Sequence, residues 1–210
     1  MTYDLEKITR YLRLCLVLSL LMEVVNLSHS AALWWYLDDF YQGLRQALAQ
    51  TLDSFGMLVG WSYLALYLLT AFVSCFWIYR AARNTLDVAP GSGRITPGWS
   101  VGWFFVPIAN YWMPFKAMRQ TWNISHAPGD TNIDRATIGP LFSVWWATWV
   151  FINILGQAMS RTDSTETYLA MSFLSFPISI VSIIAYWKII DGIHRAQKNM
   201  SREGLAEVFA

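Results

Sequence analysis

The chain has 210 residues, a formal net charge of +1, 55% hydrophobic residues and only 14% charged residues. A soluble domain carries roughly 25% charged residues. The deficit here is gathered into four long apolar runs, which excludes a soluble globular class and predicts an all-α integral membrane protein of one domain over 1–210. The near-neutral balance, with no Lys/Arg run, excludes a bulk nucleic-acid partner.

Residues 1–12 read as a short amphipathic surface helix with Tyr3, Leu5, Ile8 and Leu12 as its apolar positions. The first span covers about residues 12–32. Lys7, Arg10 and Arg13 precede it, and Ser28 to Ala31 weakly resembles a cleavage site. Glu23 interrupts the run, however, so it is expected to be a retained span rather than a leader. Residues 33–53 are too polar to cross. Leu37, Phe40, Leu44 and Leu48 recur at helical spacing opposite Asp38, Asp39, Gln42 and Gln46, which predicts an interfacial helix anchored by Trp34, Trp35 and Tyr36. The second span covers about 55–79 and contains Gly56-x-x-x-Gly60, a weakly specific close-packing pattern. Cys15 and Cys75 are isolated within apolar runs. They are expected to be small packing residues rather than a disulfide framework.

Arg80-Ala81-Ala82-Arg83-Asn84 and a Pro/Gly-rich linker, Pro90 to Gly93, lead into the central segment, 97–122. That segment is apolar enough to enter a bilayer but is interrupted by Pro107, Asn110 and Pro114. Its 16 residues from Gly98 to Met113 would reach only about 24 Å as one helix, short of the ~30 Å hydrocarbon core. Pro107 also removes a backbone bond and frees the carbonyl of Trp103. The segment is therefore expected to be re-entrant or interfacial. After it, Phe115, Met118 and Trp122 fall on one face with Lys116, Arg119 and Gln120 opposite, a second interfacial helix. A polar loop, 125–135, precedes the third span at about 138–159; the fourth follows at about 168–190. The fourth span carries a stripe of Ser172, Ser175, Ser179 and Ser182 and a kink at Pro177. Trp77, Trp99, Trp112, Trp122 and Trp187 are expected to form an inner headgroup belt, with Trp145, Trp146 and Trp149 lying deeper.

Basic residues decide between dipping and crossing. If the central segment returns to its side of entry, thirteen Lys and Arg residues lie inside and only Arg45 and Arg161 outside. A full crossing would move seven of them, from Lys116 onward, to the outer face. Four spans with both termini cytoplasmic are therefore expected, in a multi-pass membrane protein. Arg80 to Asn84 and Arg195 to Asn199 both read R-A-x-[RK]-N. This hints at a two-hairpin pseudo-repeat, 1–84 and 136–199, of the kind found in transporters.

The first span places Ser19, Glu23, Asn26 and Ser30 on one helical face. Together with Asn110, Asn153 and Gln157 they are candidate ligand or ion groups; the alternative is a hydrogen-bonded network with Glu23 protonated. Arg80, Arg83, Lys116 and Arg119 are candidates for lipid headgroups or a protein partner. His29, His126 and His194 form no haem or metal spacing, and no GxSxG, HExxH, P-loop or GxGxxG is present. No catalytic, metal or cofactor site is expected, and Asp191 reads as a solvated helix end.

Thr96-Pro97-Gly98-Trp99, Gly102-Trp103-Phe104-Phe105-Val106-Pro107-Ile108-Ala109-Asn110 and Met113-Pro114-Phe115-Lys116-Ala117-Met118-Arg119, with Trp122 and the preceding Tyr79 to Asn84, resemble the signature of a bacterial membrane family, domain of unknown function 4328. The resemblance is specific over about 76–125. It implies a bacterial inner-membrane protein with several helices and brings no activity or substrate. The expected function is a non-enzymatic module binding membrane lipid, a partner protein or a second copy of itself. The alternatives are a transporter or channel subunit and a membrane-embedded lipid-modifying enzyme.

Overall fold

The computed structural model describes residues 2–37, 45–91, 94–127 and 139–209, with side chains over 2–35, 51–91, 94–127 and 139–201. Among the described residues six α-helices follow in order: α1 Glu6–Leu37, α2 Arg45–Val88, α3 Pro97–Gly102, α4 Met113–His126, α5 Leu141–Met159 and α6 Thr165–Phe209. Every regular element among the described residues is helical. α1, α2, α5 and α6 each contain a stretch long and apolar enough to cross a membrane, as a multi-pass membrane protein requires.

The long helices outrun the apolar segments read from the sequence. α2 has 44 residues and α6 has 45, so each is about 66 Å long, twice a ~30 Å hydrocarbon core. The helices continue because their polar extensions contain no proline, and tertiary contacts hold them. α1 likewise has neither Gly nor Pro between Glu6 and Leu37. The separate surface helix expected over 1–12 is thus corrected: Leu5, Thr9 and Leu12 are buried, and the segment from Glu6 is the first turns of α1. Of the interfacial helix expected over 33–53, residues 38–44 lie outside the described residues, and the flanks belong to α1 and α2. Most of the expected loop 125–135 also lies outside them, although Ser125 and His126 close α4.

α1 is packed between α2 and α6, while α5 packs on the far side of α6 and scarcely meets α2. The register is constant along both interfaces of α1. Against α2, Thr9 meets Trp77, Glu23 meets Tyr63, and His29 fills the space left by Gly56. Against α6, Glu6 meets Lys198, Arg13 meets Asp191, and Trp34 meets Phe173. Of the Gly56/Gly60 pair, only Gly56 serves close approach; Gly60 faces open space. Ser172, Ser179 and Ser182 are buried on α6, and both cysteines are free thiols.

Near one end of the bundle, α3 packs on α2, while α4 packs on α6, α2 and α5. These two short helices occupy the edge that α2 and α5 leave open. The main hydrophobic core lies there and includes Leu12, Trp77, Met118, Phe142, Trp145 and Ile189. Trp77, expected as a headgroup anchor, is 0% exposed, and its Nε1 donates to Thr9 Oγ1 at 2.9 Å. An indole at the end of an apolar run can face lipid or core, and here three helices close around it. Trp122 of α4 lies over Gly192 of α6, where a Cβ would run into the indole ring. Gly192→Ala should therefore destabilise the fold by about 1–3 kcal/mol through overpacking. Gly156→Ala, which meets nothing, should not, and thermal unfolding of the two purified variants separates the cases.

Candidate functional site

The segment between α3 and α4 is a hairpin built from interrupted helix. Thr96 caps α3: its backbone is extended, and its Oγ1 accepts from Trp99 N at 3.4 Å. Pro97 follows at the first turn, where its missing N–H costs nothing. A 3₁₀ turn, Trp103–Phe105, ends at Val106, and the chain then reverses around Ile108. Ile108 has φ 68° and ψ −55°, and Ala109 N donates to Pro107 O at 2.7 Å. This is a γ-turn of the rare, strained hand, occupied by a β-branched residue, and such strain costs about 1–3 kcal/mol. A second 3₁₀ turn, Ala109–Tyr111, leads into α4, with Pro114 in its first turn.

Gln120 on α4 ties the two ends of this hairpin together. Its Oε1 accepts from Arg94 N and Ile95 N, each at 2.9 Å, and its Nε2 donates to Ile95 O at 2.7 Å. The expectation that Gln120 lies on an outward face with Lys116 and Arg119 is corrected: it is buried. α4 is covered on more than one side, so Thr121, Asn123 and Ser125 are buried as well. At the other end of the hairpin, Phe105 is 74% exposed and Ile108 is 71% exposed. The walls rest on α5. Trp146 Nε1 donates to Tyr111 O at 2.7 Å, and Phe104 meets Trp149 edge-on. The Oδ1 of Asn110 is buried with no hydrogen-bond partner. The tryptophans expected to lie deeper form a stacked ladder, with Trp146 on Trp149 and Trp145 on Tyr186.

Beside the base of the hairpin, the two R-A-x-[RK]-N segments meet. Asn84 Nδ2 donates to Gln197 Oε1 and to Tyr3 O, both at 2.9 Å, while Tyr3 N donates to Asn84 Oδ1. Gln197 Nε2 donates to Ala81 O and to Ser125 Oγ, both at 3.0 Å. Two amides thus join α2, α4, α6 and the N-terminal segment with every amide hydrogen used. A cavity of about 230 Å³ opens alongside, lined by Asn84, Gln197, Glu6, His194 and Lys198 among others. The hydrogen bond from Lys198 holds the Glu6 carboxyl below the usual carboxylate range. Burial holds His194 below the usual imidazole range, with Glu6, 3.5 Å away, pulling in the opposite direction. Asp191 is half-buried rather than freely solvated and pairs with Arg13 at 2.7 Å and Arg195 at 3.5 Å.

The candidate residues fall into two regions. Of the basic candidates, Arg80 lies over the Tyr3 ring, Arg119 over Phe115, and Arg83 and Lys116 are exposed. Among the polar candidates, Glu23 accepts from Tyr63, Asn153 donates to Trp149 O on its own helix, Asn26 is half-buried and Gln157 is exposed. No hydrogen bond links these candidates to one another or to Asn110 among the described residues. His126 stacks on Trp122. No three His, Cys, Asp or Glu side chains gather as metal ligands among the described residues. Gln120 and Gln197 were not singled out from the sequence. The available signal was an uncharged amide set among apolar neighbours, the residue type that satisfies backbone without placing a charge.

Gln120→Leu should leave backbone groups at residues 94 and 95 unpaired, costing about 1–3 kcal/mol. Faster proteolysis near residue 94, with the rest of the bundle intact, is the expected readout. His194 also makes stability depend on pH. Because its folded pKa is depressed, the unfolded chain binds the proton more readily, so stability falls as pH drops below about 6.5. Thermal unfolding between pH 7.5 and 5.5 (roughly one unit either side of that value) should show this loss, and His194→Gln should flatten it.

No curated protein and no solved structure matches the chain. The sequence model of one family, described as Domain of unknown function (DUF4328), matches residues 42–198, which include the hairpin, the Gln120 tie and both halves of the amide network. That is about three quarters of the chain, and the protein belongs to this family.

Proposed function

We propose that this chain is a non-enzymatic module of the bacterial inner membrane that holds anionic phospholipid through its central hairpin. In this reading the termini and the amide network lie on the cytoplasmic side. The hairpin dips into the inner leaflet and returns, with Phe105 and Ile108 among the acyl chains. Arg80, Arg83, Arg94, Lys116 and Arg119 ring its base at headgroup level. The observation that carries the reading is the Gln120 tie, because it holds the entry to the hairpin, at residues 94 and 95, against the helix by which it leaves. The thirteen-to-two distribution of basic residues supports the same sidedness. A strained turn carrying two bare apolar side chains suits a lipid environment, since water would leave both exposed.

The test uses the full chain in vesicles containing phosphatidylglycerol. A spin label at Phe105→Cys, in a Cys15→Ser, Cys75→Ser background, should be reached by dissolved oxygen and shielded from a water-soluble nickel chelate. Native mass spectrometry should show retained anionic lipid. Replacing both Arg83 and Lys116 with Gln should weaken that retention by about 1 kcal/mol, or roughly fivefold, per charge removed. Free access of the nickel chelate to position 105, or lipid retention unchanged in the double variant, overturns the reading. A stoichiometric protein that leaves when Phe105 is replaced would make the hairpin a protein-docking element instead.

A further inference from the structure

The hairpin makes no use of the carboxyl buried where three helices meet. Glu23 of α1 is 5% exposed. Tyr63 of α2 donates its hydroxyl to Glu23 Oε1 at 3.1 Å, and Ser179 of α6, itself buried, faces the same carboxyl. Along α1, Glu23 lies between the Thr9–Trp77 contact at one end and the His29–Gly56 contact at the other. It stands about 16 Å beyond Leu12, near the middle of a ~30 Å core.

The groups facing Glu23 carry no positive charge. α2 offers Tyr63, with Tyr67 one turn further along, and α6 offers Ser179. The nearest imidazole on α1, His29, is engaged with Leu52 O. No Lys, Arg or His pairs with Glu23 among the described residues. Two hydroxyls can donate to a carboxylate or share a neutral carboxyl, but they cannot cancel its charge. An unpaired anion at this depth is costly, so the packed arrangement requires a proton on Glu23. One of its two partners adjoins a weak point. Pro177, two residues before Ser179, has no N–H to give the carbonyl of Phe173, so α6 lacks one backbone hydrogen bond beside the carboxyl.

We propose that Glu23 is a reversible intramembrane proton-binding site that latches α2 and α6 to α1. With the proton bound, the neutral carboxyl shares hydrogen bonds with Tyr63 and Ser179, and the three helices close. When the proton leaves to water, the remaining carboxylate draws water toward itself, and α6 yields at Pro177. The step is one proton exchanged with solvent, with no change in oxidation state. The proposal is independent of the lipid-binding reading, and either can fail alone.

Infrared difference spectroscopy of the full chain in lipid nanodiscs, between acidic and alkaline buffer, reads the site directly. We expect a protonated-carboxyl band that disappears reversibly as pH rises and is missing in Glu23→Gln. Tyr63→Phe keeps the carboxyl and removes one hydrogen bond. It should therefore move the band to higher frequency, and it serves as the probe should the Gln variant fail to fold. A band that persists at every pH marks a purely structural acid and overturns the proposal. So does the absence of any band, or one that neither variant alters. Loss of the band on adding sodium at constant pH would identify a cation site and overturn the proton assignment.

Discussion

Backbone hydrogen bonding is the constraint around which this structure is arranged. A segment interrupted at Pro107 and Pro114 cannot satisfy its own amides and carbonyls as one continuous helix would. Side chains meet backbone groups instead: Gln120 holds residues 94 and 95 where the chain enters, and Trp146 of α5 holds the carbonyl of Tyr111 within. These bonds dictate where α4 and α5 must lie. α4 has to bring Gln120 against residues 94 and 95, and α5 has to bring its indole ladder against Tyr111. The edge between α2 and α5 is filled as a result, and two long helices that scarcely touch are held in one bundle.

The amide network does the same at the helix ends. Asn84 and Gln197 belong to segments that look alike in sequence, yet their contributions differ. In the first copy the Asn at the fifth position is buried; in the second the Gln at the third position is buried and the terminal Asn199 is exposed. The contact therefore joins unlike positions of similar segments. Neutral amides suit the place, since they bridge four elements without the desolvation cost of ions. The charged pairs, Glu6–Lys198 and Arg13–Asp191, lie where water still reaches them.

Much of the architecture was legible in the chain. Apolar runs gave the four spans, and the prolines gave the break. What hydropathy cannot report is where a helix stops once it leaves the apolar layer, because polar and apolar residues are equally helical when nothing breaks the backbone. α1 therefore begins earlier, and α2 and α6 continue further, than their apolar runs indicate. Side-chain destinations were harder for a related reason. Periodicity assigns a face, but α4 packs on several neighbours, and a helix so enclosed has little outward face left. On that account Gln120 reads as outward-facing, and Trp77 as a headgroup anchor. Glu23 stood out from sequence because an acid in an apolar run is conspicuous. Its partners did not, because tyrosine and serine are ordinary in such helices.

The constant register of α1 has a mechanical consequence. Its contacts with α2 and α6 are spaced along the full helix: Thr9, Glu23 and His29 on one side, Glu6, Arg13 and Trp34 on the other. A slide of one residue, about 1.5 Å with a 100° rotation, would mismatch all of them together. Small axial displacements are therefore not available to α1 one contact at a time. A load along the axis of α1 would therefore have to release these contacts together, like the teeth of a key.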